Sequence, residues 1–115
     1  MISAELIEIL GPFGAHQVQG FRLRELAVHP TLSDSKWWTI THLPTGLSFG
    51  FRWPSAFGAV SAMEDVAQRR ASWRCSAEDV ELTPGIAETL IKAGGQRYNI
   101  APRSTMAQKK LNGYG

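Results

Sequence analysis

Cysteine is nearly missing from this chain of 115 residues, in which Cys75 stands alone. A single cysteine excludes an intramolecular disulfide and a cysteine zinc site, so the disulfide framework of a small secreted domain is lacking. No apolar run approaches the roughly 20 residues of a membrane helix, and Glu5 and Glu8 stand where a secretory signal carries positive charge. These absences predict a cytoplasmic protein that makes no membrane contact.

The residue clusters that support catalysis are also missing. The three histidines, His16, His29 and His42, are scattered without a partner at metal-ligand spacing, and no glycine loop matches a dinucleotide or phosphate fingerprint. Neighbouring acids such as Glu64 and Asp65 would point in different directions on a helix, so they form no acid-base pair. We therefore predict no catalytic residues, no metal and no cofactor. Were the protein an enzyme, His42 and Cys75 would be the candidates.

What the chain does contain suits a single core. Hydrophobic residues make up 43% of it, and a domain of this size buries roughly two-thirds of its surface. We expect one α+β domain over residues 1–100 and a mobile, polar and basic tail over residues 101–115. The net charge of +2 is unevenly spread, because eight of the twelve Lys and Arg residues follow Gln68. A positive C-terminal end of this kind is usually a solvated tail, and otherwise it contacts phosphates or an acidic protein surface.

The first 35 residues give mixed signals. Ser3 to Leu10 is compatible with a short capped helix or with a strand. Phe21 and Leu23 alternate with Arg22 and Arg24, which predicts one strand from Gln17 to Val28, and His29 to Ser35 is typical of a loop.

Residues Trp37 to Trp53 give the strongest local signal, two β-prone runs around Pro44-Thr45-Gly46. This pattern predicts a hairpin with a three-residue loop, in which Leu43 faces Leu47. In that register Trp37 and Trp53 share an apolar face with Phe49 and Phe51. Trp38, His42 and Arg52 then lie on the opposite face.

Two helices are predicted after the hairpin. Apolar residues recur at helical spacing from Pro54 to Ala71, including Phe57 and Met63, and would cover the aromatic face of the hairpin. A second helix is expected from Thr83 to Ala93, burying Ile86, Leu90 and Ile91, with one extra turn over Ser76 to Glu81. The predicted fold is a three-stranded antiparallel sheet with one face covered by a helix, plus a C-terminal helix.

The uncovered sheet face is the predicted binding surface. This face would combine cationic and aromatic side chains, and two lysines of the tail would add to it. The predicted binding residues are Arg22, Arg24, Trp38, His42, Arg52, Lys109 and Lys110. From Phe21 to Ala71 the order of three strands and a helix resembles the small DNA-binding domains of the integrase arm-binding type. That resemblance implies that the sheet is the reading surface. The alternative is that the second helix or a second subunit covers this face.

These features predict a small binding protein without catalytic activity. Trp and Arg anchor many protein interfaces, so a regulator or inhibitor acting by protein contact, on a complex that itself handles nucleic acid, is the leading hypothesis. Nucleic-acid binding through the sheet face and the tail is the alternative. A homodimer remains open.

Overall fold

Antiparallel strands dominate the fold of the computed structural model, which describes residues 2–11 and 14–98. The strands are β1 (Ser3–Gly11), β2 (Gly14–Leu23), β3 (Leu26–Thr31), β4 (Asp34–His42), β5 (Leu47–Trp53) and β6 (Gln96–Arg97). They form one sheet in the order β1-β2-β3-β4-β5-β6. The helices are α1 (Ala56–Ala67), α2 (Ala77–Glu81) and α3 (Ile86–Lys92). The prediction of a three-stranded sheet is therefore wrong, and the tail with Lys109 and Lys110 lies outside the described residues.

The sheet is larger than predicted because two short turns, at residues 24–25 and 32–33, create additional strands. Arg24 takes a left-handed backbone conformation with φ 57°, which breaks the predicted strand over Gln17 to Val28 into β2 and β3. The predicted loop from His29 to Ser35 is instead the end of β3, a turn at Leu32 and Ser33, and the start of β4. Polar residues misled the prediction at both places, since short antiparallel turns need only two residues. Of the two alternatives for Ser3 to Leu10, the strand is the observed one.

The ribbon of β1 and β2 extends beyond β3 and packs back on the sheet. Gly20 permits this close approach, because a Cβ at this position would lie 2.4 Å from the Val28 carbonyl oxygen. Ile7 and Ile9 are consequently buried against Ala27 in a small second core. The β1-β2 ribbon thus covers part of the sheet face that the sequence left open.

The main core lies between the other sheet face and the helices. Helix α1 begins after Ser55, whose hydroxyl accepts a hydrogen bond from the Gly58 amide, and packs on β3, β4 and β5. Trp53 and Trp73 are fully buried there with Met63 and Leu90. The predicted helix positions are confirmed in outline, with α2 capped by Ser76 as a single extra turn.

Two residues expected in this core lie on the surface. Phe57 is 86% exposed and Ile91 is 54% exposed. Phe57 falls in the first turn of α1, where the helix has only begun to meet the sheet. Helical spacing alone cannot tell a residue in an end turn from one in the middle of the packed face.

Candidate binding surfaces

The predicted surface does not form as one patch, because the β4-β5 register differs from the expected one. Four residues, Leu43 to Gly46, separate the strands, so the partner of Leu47 is His42, whereas the prediction paired Leu47 with Leu43. Near the other end Trp38 pairs with Trp53. A shift of one residue moves every side chain of a strand to the opposite face. Trp38 and His42 therefore face the helices, and only Arg52 of the three predicted hairpin residues remains on the open face.

The register changes between the two ends because β5 contains two extra residues around Gly50. Gly50 has a φ of 79°, a left-handed conformation that favours glycine. Since two residues are one full period of a strand, Leu47, Phe49, Phe51 and Trp53 all keep facing the core. The predicted inward face of β5 is thus correct, and the predicted faces of β4 are inverted.

His42 is a structural residue of the core. Its ring is fully buried, and Nε2–H donates a 2.6 Å hydrogen bond to the Trp73 carbonyl. The Thr45 hydroxyl lies 2.8 Å from Nδ1 and donates to it. With a hydrogen-bond partner at each ring nitrogen, His42 joins the β4-β5 turn to the segment after α1.

Cys75 lies beside His42, so the two residues named as candidates for catalysis are neighbours in the structure. The sulfur is 3.9 Å from His42 Nε2. This nitrogen carries the proton that it donates to Trp73, so it offers no lone pair to accept a proton from the thiol. The arrangement fits a thiol packed in the structure and does not activate a nucleophile.

Arg22 and Arg24 belong to a different group, which we call the arginine cluster: Arg22, Arg24, Arg69, Arg70 and Arg74. Arg22 lies near the end of β2, Arg24 lies in the β2-β3 turn, and the other three come from the segment after α1. Two contacts join these segments: Arg24 Nη2 donates to the Ala71 carbonyl at 3.1 Å, and Arg74 Nε lies 3.4 Å from Glu25 Oε2. The cluster extends further to the turn before α3, where Arg70 Nη1 donates to the Thr83 hydroxyl.

Backbone carbonyls hold three of these guanidinium groups. Arg22 Nε donates to the Arg24 carbonyl at 2.7 Å, Arg24 to Ala71, and Arg70 Nε to the Ser72 carbonyl at 3.1 Å. A carbonyl fixes the orientation of a guanidinium without neutralising its charge. In the described structure the carboxylates of Glu5 and Glu25 contact the cluster at 3.8 and 3.4 Å. The cluster therefore keeps a net positive charge.

A second group, at the other end of the sheet, surrounds Arg52. The guanidinium carbon lies 3.9 Å from the centre of the Trp37 ring and 5.5 Å from that of Tyr98. All three residues are half-buried. We call them the aromatic-arginine stack. The four residue steps of β3 from Leu26 to Pro30 separate the level of the β2-β3 turn from that of the stack, a distance of about 13 Å.

Buried hydroxyl groups support the stack from beneath. The Tyr98 hydroxyl lies 3.1 Å from Thr39 Oγ1, which in turn lies 2.6 Å from Thr31 Oγ1. On the same sheet face His29 Nδ1–H donates to the Pro30 carbonyl, and Nε2 accepts from Thr41. Burial lowers the pKa of His29, although its hydrogen bond to Pro30 opposes the change. The neutral ring fits this hydrogen-bond pattern.

An open cleft of about 390 Å³ lies between β5 and the helices α2 and α3. Its floor is apolar and includes Phe49, Phe51 and Leu90, while Glu81, Glu88 and Arg97 stand among its lining residues. Arg97 lies over the Phe51 ring, with its guanidinium carbon 4.7 Å from the ring centre.

Trp37, Tyr98 and the three arginines after α1 are not among the residues that the sequence pattern predicted for a binding surface. Adjacent tryptophans on a strand must face opposite sides, so one of Trp37 and Trp38 had to reach each face, whichever the register. The acid-free run from Arg69 to Arg74 was likewise visible as a local positive segment.

Comparisons with family models, with curated proteins and with solved structures found no match to this chain. Over residues 2–11 and 14–98, no group of three or more His, Cys, Asp or Glu side chains is placed to hold a metal ion. In the same residues no helix has the length and apolar character needed to cross a membrane. The resemblance to integrase arm-binding domains loses its basis, since five strands and not three precede α1.

Proposed function

We propose that this protein acts by binding a partner protein in the cytoplasm, and that the aromatic-arginine stack is the centre of the contact. The observation that carries the proposal is the meeting of Trp37, Arg52 and Tyr98 on one half-exposed patch. Tryptophan, tyrosine and arginine are the residue types most enriched among those that dominate interface energies. The lone Cys75 supports a reducing compartment.

The stack is rigid, which favours binding. The hydrogen bond between Tyr98 and Thr39 fixes the phenol ring, and the two rings fix Arg52 between them. A side chain held in advance loses less entropy when a partner arrives. The side chains of the stack are therefore already held as an interface anchor would be held in a complex.

Arg52 carries an unsatisfied group that supports the same proposal. Its Nε is buried and has no hydrogen-bond partner among the described residues. Leaving such a donor unpaired costs about 1–3 kcal/mol, so its presence needs an explanation, and a role in binding supplies one. A chain of 115 residues with such an anchor suits a regulator or inhibitor that covers a site on a larger complex.

Site-specific crosslinking tests this proposal in the cells that make the protein. A photo-reactive amino acid replaces Ser35, an exposed residue two positions before Trp37, and irradiation should yield one discrete adduct with a partner protein. Trp37→Ala should remove it and weaken binding to the identified partner by about 30-fold, which corresponds to the loss of about 2 kcal/mol at an interface anchor. An adduct of twice the chain mass would show that the partner is a second copy.

Phe57→Ala is the matched control, because it removes an aromatic ring that is 86% exposed on α1. It should leave the adduct unchanged. The proposal is wrong if the Ser35 position gives no discrete adduct, if the same adduct forms from Ser61 on α1, or if Trp37→Ala leaves the adduct intact.

Nucleic-acid binding is the second candidate, and the arginine cluster favours it. The predicted sheet face no longer supports this function, since Trp38 and His42 face the core. The contribution of Lys109 and Lys110 stays a prediction.

A further inference from the structure

The arginine cluster is distant from the aromatic-arginine stack and needs its own explanation. Two groups of arginines, Arg22 with Arg24 and Arg69 with Arg70 and Arg74, lie far apart in the sequence. Contacts between the β2-β3 turn and the segment after α1 bring the two groups together. Like charges repel each other, so gathering them costs free energy unless a partner uses them.

The anchoring leaves donors of Arg22 and Arg24 free to bind. Each of these two side chains uses one of its five N–H donors on a backbone carbonyl, whereas half-buried Arg70 donates to both the Ser72 carbonyl and the Thr83 hydroxyl. The remaining donors of Arg22 and Arg24 can contact the oxygens of a phosphate group. Arg69 and Arg74 are exposed beside them, and the Arg74 side chain is 85% exposed.

The surroundings of the cluster fit a nucleic acid better than a protein. The exposed residues from Gln68 to Ser76 are polar or small, and Trp73 is fully buried beneath them. Protein interfaces have an apolar core, which this surface lacks, whereas nucleic-acid interfaces are polar and positively charged.

We propose that the arginine cluster binds the phosphate backbone of double-stranded nucleic acid without reading its sequence. Single strands are bound by stacking bases on exposed aromatic rings. The aromatic ring that the cluster contacts, that of Trp73 under Arg70, is not accessible to a base. The arginines instead offer phosphate contacts alone, which position a duplex and carry no sequence information.

Binding of a labelled 20-base-pair DNA duplex, followed by fluorescence anisotropy, tests the proposal. Neutralising three to five phosphates should make the affinity fall roughly 40- to 500-fold between 50 and 200 mM salt. The triple variant R22Q/R69Q/R74Q removes three exposed charges of the cluster and should lower the slope of log affinity against log salt by about 2.7. Circular dichroism and thermal melting confirm that each variant folds.

The matched control is K36Q/K92Q/R97Q, which removes the same charge from exposed positions elsewhere. It should retain the full slope. Equal losses in the two triple variants would overturn the site, because they would indicate a general charge effect. So would the absence of binding at 50 mM salt, or loss of binding in K109Q/K110Q alone, which would assign it to the tail.

Two competitors identify the chemistry of the partner. A single-stranded DNA of equal charge should compete more weakly than the duplex, and polyglutamate should compete only slightly. Tighter binding of the single strand would overturn the duplex proposal. If polyglutamate competed as well as DNA, the cluster would recognise acidic protein, and the proposal would be wrong. Neither result bears on the aromatic-arginine stack, which is tested by Trp37→Ala.

Discussion

Tyr98 links the exposed and the buried parts of one sheet face. Its ring lies against the Arg52 guanidinium, and its hydroxyl reaches Thr39, whose hydroxyl contacts Thr31. Threonine hydroxyls are satisfied by each other in this row, so a polar row can stay buried without charge. Individual side chains thus hold the aromatic-arginine stack in place.

His29 makes the free energy of unfolding depend on pH. Burial lowers its pKa below the ordinary 6.5, so the unfolded chain takes up a proton that the folded protein excludes. The stabilisation is fully present above pH 6.5 and is lost as pH falls toward the folded-state pKa, by up to about 1.4 kcal/mol per pH unit. Urea unfolding between pH 7.5 and 5.5 should show a steeper loss for the wild type than for His29→Gln.

The exposed His16 provides the control for that measurement. His16→Gln should keep the steep loss of the wild type. If His29→Gln and the wild type lost stability in parallel, His29 would not be the buried neutral group described above.

At the scale of the elements, local signals predicted the β4-β5 hairpin and the helices but not the pairing. The turn at Pro44-Thr45-Gly46 and the single helical turn after Ser76 depend on local chemistry, and both appear where expected, although Leu43 also belongs to the first of them. The register depends on whether Leu43 belongs to the strand or to the turn. In the structure Leu43 lies in the turn and Leu47 pairs with His42, while the Leu43 amide donates to the Glu25 carbonyl on the β3 side of β4 at 2.8 Å. The pairing of strands cannot be read from local pattern alone, and a difference of one residue places Trp38 and His42 on the face opposite to the predicted one.

A substitution at Gly20 tests whether the β1-β2 ribbon packs closely on β3. Gly20→Ala would place a Cβ 2.4 Å from the Val28 oxygen and 2.8 Å from Ile7 Cδ1. We expect the free energy of unfolding to fall by about 2 kcal/mol or more, as for an overpacked core. Chemical denaturation measures this change.

Gly58→Ala is the opposite case within α1. The nearest atoms would be 3.4 Å away, and alanine gains helix propensity of up to about 1 kcal/mol over glycine. This variant should be neutral or more stable. An unaffected Gly20→Ala protein would mean that the ribbon does not pack closely on β3.

At the scale of the whole molecule, two charged surfaces occupy opposite ends of one sheet. Strand parity alone predicts that Arg22, Arg24 and Arg52 lie together on one face. In the structure Arg22 and Arg24 lie at one end of the strands and Arg52 at the other, and Arg69 and Arg70, which follow helix α1, lie at the end that holds Arg24. The central claim is that these two ends are independent binding surfaces.

Mapping of amide chemical shifts by NMR during titration with the DNA duplex tests this claim most directly. Signals from residues 22–26 and 69–75 should move, while those of Trp37, Arg52 and Tyr98 should stay in place. Movement at the stack, or movement confined to residues 99–115, would contradict the account.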